Sequence, residues 1–371
     1  MKGKEYMFLF LGAGASKPFG IPTIPEFIRI FDEKFRDEEL YRSLKNVFGD
    51  YLDLEVCMTV LSDLRQPSNE FFGSLSPQTA DFLFRQPRKE AVKFIKKEEI
   101  KEKVTQLLEQ MKGIIRQQCV ASLKSTSFLE PYDNFFLFFD RIRSEIESKH
   151  IAIPRMSGDG IIPLQNRISI ATTNYDTCIE EYFRRRQVEF IDGIERVFGK
   201  NLFVVDSYTK RSGGIKILKV HGSMDLYKKG DYIQQVDYRL GDFDSLREEY
   251  GEVFIHWPIE YGGYKHVIES PNLELYNLLR KELSEDDIWI IIGFSLRDRS
   301  ICSLMNNLLI PLKKTEHPKI ALIDPNPDPI RARLRKWGMN ILDDLIYATT
   351  GKFGEDSYHE GLKEALASKV S

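Results

Sequence analysis

The chain has 371 residues, 42% of them hydrophobic and 29% charged, with a formal net charge of -3 at pH 7. That is the composition of a folded protein long enough for one large domain or two ordinary ones. Lys and Arg are spread along the chain without a dominant basic block, which argues against direct nucleic-acid binding. No apolar run approaches the roughly 18 residues needed to span a bilayer, which argues against a membrane protein. The four cysteines, Cys57, Cys119, Cys178 and Cys302, are far apart and form no C-x-x-C pair. Neither a zinc ribbon nor a disulfide scaffold is indicated, and no metal is expected. The charged start and Tyr6–Leu11 have the outline of a signal peptide. The apolar stretch is short, however, and runs into Gly-Ala-Gly-Ala-Ser-Lys-Pro, so a strand entering a turn explains it better. A cytoplasmic location is the expectation.

Tyr6–Leu11 is the first predicted strand: short, apolar and ended by glycine. From about Phe27 to Gln165 no strand is predicted. Val104, Leu107, Leu108, Met111, Ile114 and Ile115 recur at three-and-four spacing and predict an amphipathic helix. Lys96, Lys97, Lys101 and Lys103 near its start read as a solvated face. A second helix is predicted over Asn134–Lys149 with Asp133 as its N-cap. Its aromatics Phe135, Phe136, Phe138 and Phe139 read as packing residues, with a partner surface as the alternative. Ile151–Pro163 reads as a loop. Strands follow at Arg167–Thr173, Lys216–Val220, His266–Glu269, Ile288–Ile292 and Lys319–Ile323. Helices are predicted at Glu274–Leu283 and Asp298–Leu309. Near-continuous apolar strands alternating with helices predict an α/β fold: a Rossmann-like doubly wound parallel sheet with a large helical insertion. The expected division is a core of residues 1–26 and 166–350, a helical insertion over 27–165 and a C-terminal helical tail over 351–371.

Five polar or glycine-rich segments follow strands, where ligands sit in open α/β sheets. In Gly12-Ala13-Gly14-Ala15-Ser16 the glycines permit a sharp turn that brings backbone N–H groups toward a phosphate, with Ser16 as a further donor. The third glycine and the ribose-binding acid of the dehydrogenase fingerprint are missing, and Lys17 stands in the glycine's place. A tight turn without a ligand is the alternative. Thr172-Thr173-Asn174-Tyr175-Asp176 could face a ligand or cap the next helix. His221-Gly222 offers a base beside backbone that a ligand can approach. Gly293-Phe294-Ser295-Leu296-Arg297-Asp298 and Asp324-Pro325-Asn326-Pro327 complete the series.

This ordered set resembles the sirtuin family, and more closely the bacterial and archaeal sirtuin-like NADases of antiphage defence. The resemblance covers roughly residues 6–26 and 167–330. It implies NAD as substrate, with Gly12, Ala13, Gly14 and Ser16 around its phosphates. Gly20-Ile21-Pro22 matches the start of a flexible cofactor loop, although Thr23-Ile24-Pro25 departs from the Asp-Phe-Arg of the deacylases. Asn174 and Asp176, with Thr173 before them, match the polar group near the nicotinamide and its ribose, and His221 matches the catalytic histidine. Gly293 and Ser295 match a glycine–serine pair near the adenosine ribose and phosphates, and Asn326 an asparagine touching the adenosine ribose. Sirtuin deacylases carry a four-cysteine zinc module after the His-Gly pair, whereas Ser223–Asp287 contains no cysteine. The resemblance therefore implies NAD hydrolysis to ADP-ribose and nicotinamide ahead of protein deacylation, with an NAD or ADP-ribose sensor as a third reading. It also implies gating of the activity by homo-oligomer assembly or by a HerA-like ATPase partner.

Overall fold

The computed structural model describes residues 7–65, 76–86, 98–120, 129–147, 168–210, 214–238, 241–257, 270–286, 288–311, 318–336 and 346–367. The strand expected at His266–Glu269, the loop at Ile151–Pro163, Lys96, Lys97 and the side chain of Phe139 lie outside them. The chain divides into two compact units, one of Met1–Ile21, Ser122–Ile255 and Glu269–Ser371, the other of Pro22–Ala121 and His256–Ile268. The helical unit is thus shorter than the insertion expected over 27–165.

The strands of the first unit are β1 (Met7–Leu11), β2 (Ile168–Thr172), β3 (Phe190–Ile191), β4 (Ile194–Val197), β5 (Lys200–Phe203), β6 (Ile215–Lys219), β7 (Gly222–Lys229), β8 (Tyr232–Gln235), β9 (Glu252–Ile255), β10 (Ile288–Ile292), β11 (Lys319–Asp324) and β12 (Ile346–Thr350). Seven of them form a parallel sheet in the order β12-β11-β10-β1-β2-β6-β3. Every residue of β2 and β10 is buried, as is all of β1 but Met7 and all of β11 but Asp324. Burial at successive positions means that both faces of the sheet are covered, which is why these strands carry no polar alternation. The expected doubly wound parallel sheet is present, with two added edge strands, β3 and β12. Apart from the edge strand β3, order runs outward from β1 in both directions, which makes the carboxyl ends of β1 and β10 a switch point.

A second sheet was not expected. It is antiparallel, in the order β4-β5-β8-β7-β9. Phe198 and Gly199, at φ 48° and 81°, turn β4 into β5, the positive-φ pair of a two-residue hairpin. Gly230, at φ 64°, opens the two-residue turn from β7 to β8.

The helix Glu130–Glu147 also belongs to this first unit and starts four residues earlier than predicted. Asp133 is therefore inside it and is not an N-cap. Its carboxylate instead accepts from the Tyr182 hydroxyl at 3.0 Å and pairs with Arg186. Phe135, Phe136 and Phe138 are buried, and their rings pack with Tyr182, Phe183, Phe353, Tyr358 and His359. Packing is thus the reading of these three aromatics that holds.

The second unit contains the helices Ile24–Phe35, Glu39–Phe48, Leu54–Arg65, Pro77–Arg85 and Glu98–Val120. The first begins with a capping box, in which Glu26 accepts from the Thr23 N–H at 2.8 Å. Val104, Leu107, Leu108, Met111, Ile114 and Ile115 are all buried on one face of the last. Asp63 is buried and takes three donors on one oxygen: the Ser76 N–H at 3.0 Å and the Ser76 and Thr79 hydroxyls, each at 2.7 Å. Those bonds satisfy a charge that would otherwise be costly to bury.

Gly293 lies at φ 58°, and a Cβ there would sit 2.4 Å from Gly14 Cα and 2.6 Å from Ala15 N. Gly199 has a similar positive φ, but a Cβ there meets nothing within 4 Å. Gly199→Ala should therefore cost only the left-handed backbone penalty, on the order of 1–2 kcal/mol. Gly293→Ala adds backbone overlap and should cost clearly more, by roughly 1–3 kcal/mol. Urea denaturation of the two variants measures the difference; equal losses would mean that the loops after β1 and β10 part easily.

Candidate active site

The five segments singled out in the sequence all follow carboxyl ends of the parallel strands β1, β2, β6, β10 and β11. Their first link is backbone to backbone. The N–H of Gly12 donates to Ile292 O at 2.9 Å, that of Gly14 to Gly293 O at 3.0 Å, and that of Gly293 to Ile323 O at 3.0 Å. A Cβ on Gly12 would lie 2.5 Å from Gly293 O, and one on Gly14 2.7 Å from Gly293 Cα. Glycine is thus required at 12, 14 and 293 so that two loops can touch. The N–H groups of Gly12 and Gly14, expected to point toward a phosphate, are bonded within the chain. Ala13 opens the short helical turn that follows.

The second link is a chain of side-chain hydrogen bonds between the loops after β1 and β2. Asn174 donates through Nδ2 to Gly12 O at 2.8 Å and to Ser16 Oγ at 2.7 Å. Ser16 passes its own hydroxyl hydrogen to Asp176 Oδ2 at 2.7 Å. Asp176 Oδ1 accepts the Cys178 N–H at 3.0 Å, so this buried carboxylate is bonded on both oxygens. Ser16 accordingly donates to Asp176, where a phosphate had been expected. Thr172, one residue before the expected Thr173, supports the loop: its Oγ1 donates to Leu11 O at 2.9 Å and accepts the Asn174 N–H at 3.0 Å. Thr173 itself is half-buried. With both amide hydrogens of Asn174 engaged, Oδ1 is the atom through which this side chain can orient a hydroxyl or a water.

The third link carries His221. Val220 N–H donates to Thr172 O at 3.1 Å and Met224 N–H to Tyr175 O at 2.9 Å, lacing the histidine turn to the Asn174 loop. Gly222, at φ 78°, brings the turn so close to β9 that a Cβ would lie 2.0 Å from Phe254 O. Beneath it Lys219, buried at the end of β6, donates to the Asp176 carbonyl and pairs with buried Glu180 at 3.2 Å. Burial alone would lower the Lys219 pKa, but the charges of Glu180, Asp176 and Asp225 outweigh it and hold the ammonium above its ordinary value. Sequence reasoning missed this residue. The signal was a lysine between apolar Leu218 and Val220 at the end of a strand, a position that needs a buried partner.

Asp298 was also missed as a neighbour of the histidine. His221 Nε2 lies 2.7 Å from Asp298 Oδ2, while Asp298 Oδ1 accepts the Ile301 N–H at 3.0 Å and so caps the helix Arg299–Leu309. Burial pushes the Asp298 pKa up. The hydrogen bond and charge of His221, with the N–H groups of Ile301 and Ser300, outweigh it and hold the carboxyl below the ordinary range.

Toward β11 the arrangement is looser. Ser295 is half-buried, and its carbonyl accepts from Arg333. Asp324 Oδ1 accepts the Asn326 N–H at 2.8 Å, which shapes the turn and leaves Asn326 exposed. Burial raises the Asp324 pKa against the opposing effects of that N–H and of Arg333. The segments after β1, β2, β6 and β10 are therefore brought together by direct bonds, and Asn326 stands further along the same edge of the sheet.

Residues 168–342 match the model of a family described as the SIR2-like domain. The span includes Asn174, Asp176, His221, Gly293, Ser295 and Asn326 but not the Gly12–Ser16 turn. No curated protein matches the chain in sequence. Among solved structures, one from a study of the mechanism and regulation of Sir2 enzymes is 14% identical with a TM-score of 0.40, covering 99% of this chain and 94% of its own. A Sir2 complex with the inhibitor EX-527, 2'-O-acetyl-ADP-ribose and a deacetylated p53 peptide is 13% identical, TM-score 0.33, covering 99% and 95%. A Sir2 enzyme bound to a propionylated peptide is 11% identical, TM-score 0.36, with the same coverage. Among the described residues no group of three or more His, Cys, Asp or Glu could hold a metal ion, and no helix is long and apolar enough to cross a membrane. In the interval after His221-Gly222 the chain builds β7, β8 and β9 of the antiparallel sheet.

Lys219→Met should destabilise the protein by about 3–5 kcal/mol, because Glu180 is left buried without its cation. Adding Glu180→Leu should recover most of that loss in urea denaturation. A single variant as stable as the parent would show that the pair contributes nothing. Asp298 gives a pH dependence of known sign. Its folded pKa is lowered, so its contribution is complete above the ordinary carboxylate value of about 3.9 and is lost as pH falls through the folded value. The stability gap between the parent and Asp298→Asn should narrow below about pH 4; a gap independent of pH would contradict this.

Proposed function

We propose that the chain is an NAD hydrolase that cleaves the nicotinamide–ribose bond to give ADP-ribose and nicotinamide. The observation that carries the reading is the pairing of Asn174 and His221 at the ends of adjacent strands. Asn174 is fixed by Gly12 and Ser16 so that its carbonyl oxygen can orient a hydroxyl, and His221 stands one strand away as a base. The match of residues 168–342 to the SIR2-like domain supports it.

Nicotinamide in NAD is a cationic pyridinium and a good leaving group. Cleavage leaves positive charge on the ribose, which the site must tolerate while it admits water. In this reading Asn174 Oδ1 holds a ribose hydroxyl or the attacking water in place. His221 takes a proton from that hydroxyl or water as the C–N bond breaks and its electron pair leaves with nicotinamide. Asp176 acts from below by keeping Ser16, and through it the Asn174 amide, in one orientation. Ala13, Gly14, Ser295 and the turn at Asn326 line the edge of the sheet along which the rest of the dinucleotide would lie. The absence of cysteine from residues 223–287 removes the zinc frame on which sirtuin deacylases present an acyl-lysine groove, and this favours hydrolysis over deacylation.

Unrestrained hydrolysis of NAD is toxic. The reading therefore extends to a gated effector that depletes NAD in antiphage defence, held in check by self-assembly or by a HerA-like ATPase. Size measurement of the protein alone and with such an ATPase tests the gate; a fully active monomer would count against it.

His221→Ala and Asn174→Ala should each abolish nicotinamide release while keeping the far-UV spectrum of the parent, with a urea midpoint lowered by the lost buried hydrogen bonds but still that of a folded chain. Retained turnover in both purified variants would overturn the assignment. Deacylation that depends on an added acyl-peptide would move the protein to the deacylases, and tight binding of ADP-ribose without turnover would make it a sensor.

A further inference from the structure

Resting on that reading, we propose that Asp298 is the positioning residue for His221: it holds the ring in one tautomer and orientation, and steadies the cation formed when the ring accepts a proton. Four observations support the role. The contact is short, with Nε2 of His221 2.7 Å from Oδ2 of Asp298. The carboxylate is itself held, because its other oxygen accepts the Ile301 N–H at 3.0 Å at the start of an eleven-residue helix. It cannot swing away without uncapping that helix. Both side chains are largely withdrawn from solvent, at 19% and 16% relative exposure, so the attraction is poorly screened.

The fourth observation is topological. His221 follows β6 and Asp298 follows β10, and β2 and β1 lie between those strands in the sheet. Three strand spacings of about 4.8 Å make roughly 14 Å. The segment Gly293–Asp298 and the histidine turn must bridge that distance together, over the loops that carry Asn174 and Gly12. Capping the helix Arg299–Leu309 does not require a histidine from the far side of two intervening strands. The bridge places the carboxylate on the base instead.

Chemically the arrangement is the base–orienter half of a catalytic dyad. A hydrogen on Nε2, given to Asp298, leaves the basic lone pair of the neutral ring on Nδ1. When Nδ1 takes the proton from the substrate hydroxyl or water, the ring becomes an imidazolium beside a carboxylate that stays ionised. No proton passes to Asp298.

The role can be separated from capping, because Ser and Asn also cap helices well but carry no charge. Asp298→Ser and Asp298→Asn should keep the urea midpoint of the helix-capped fold near that of Asp298 at low pH, yet kcat for nicotinamide release should fall about 10²-fold or more, with KM changed little. If Asp298 only caps, both variants will turn over at the parent rate, and the proposal fails. A second readout needs no turnover. In the substrate-free parent, the nitrogen-15 shifts of His221 should show the hydrogen on Nε2, and in Asp298→Ser a mixture of tautomers. An unchanged tautomer in Asp298→Ser would overturn the proposal even if the parent hydrolyses NAD. A parent that holds the Nε2–H tautomer but never turns over NAD would overturn the hydrolase reading and leave the pairing in place.

Discussion

The arrangement depends on one chain of hydrogen bonds, from the Gly12 carbonyl through the Asn174 amide and the Ser16 hydroxyl to the Asp176 carboxylate. It joins the loops after β1 and β2, which are separated by 160 positions in sequence at its Ser16–Asp176 step. Each donated hydrogen in it has one destination, two from the Asn174 amide and one from the Ser16 hydroxyl, so the orientation of Asn174 follows from the bonds and not from its own rotamer preference. A serine bonded to an asparagine and an aspartate in a buried place is costly if any one partner is lost. The same property makes it a good support for a reacting group, because the support cannot relax independently of the sheet.

Two further constraints converge on that chain. The glycines at 12, 14 and 293 allow the loop after β10 to lie directly on the loop after β1, fixing the switch point of the sheet by contact of backbones. From the other side Lys219 ties the Asp176 carbonyl to β6, two residues before His221, at the expense of burying an ion pair. Such a pair adds little to stability on balance, but it specifies geometry because only one placement satisfies both charges. Asn174 and His221 are thus positioned by separate buried networks that meet at Asp176.

Much of this was legible in the sequence, and the failures have physical causes. β1, β2, β10 and β11 are buried on both faces, so their apolar runs announced them, and each run ended at one of the polar or glycine-rich segments. The antiparallel sheet was missed because its strands mix polar residues into buried positions: Ser223 and Asp225 in β7 and Gln234 in β8 are buried, which erases the alternation by which a strand is recognised. The turn pair Gly230-Asp231 carried a hairpin signal, whereas Phe198-Gly199 puts a phenylalanine where Asn or Asp usually announces the turn. Asp133 precedes an aromatic run as an N-cap would, but Pro131, well suited to a first helical turn, marks the start more faithfully. At the site, residue types were legible but donor directions were not. The types at Ser16 and Asp298 were legible, but not that Ser16 donates to Asp176 or that His221 lies 2.7 Å from Asp298. Contacts across 160 or 77 positions depend on strand order, which sequence pattern leaves open.

The most direct measurement is product identification after the purified full chain is incubated with NAD labelled in both the nicotinamide and the adenosine halves, with no peptide present. Activation by a partner ATPase should be tried in the same experiment. Nicotinamide and ADP-ribose are expected in equal amounts, with every lost NAD found in those two products. NAD recovered intact under all conditions, or cleavage at the pyrophosphate instead of the nicotinamide–ribose bond, would contradict it.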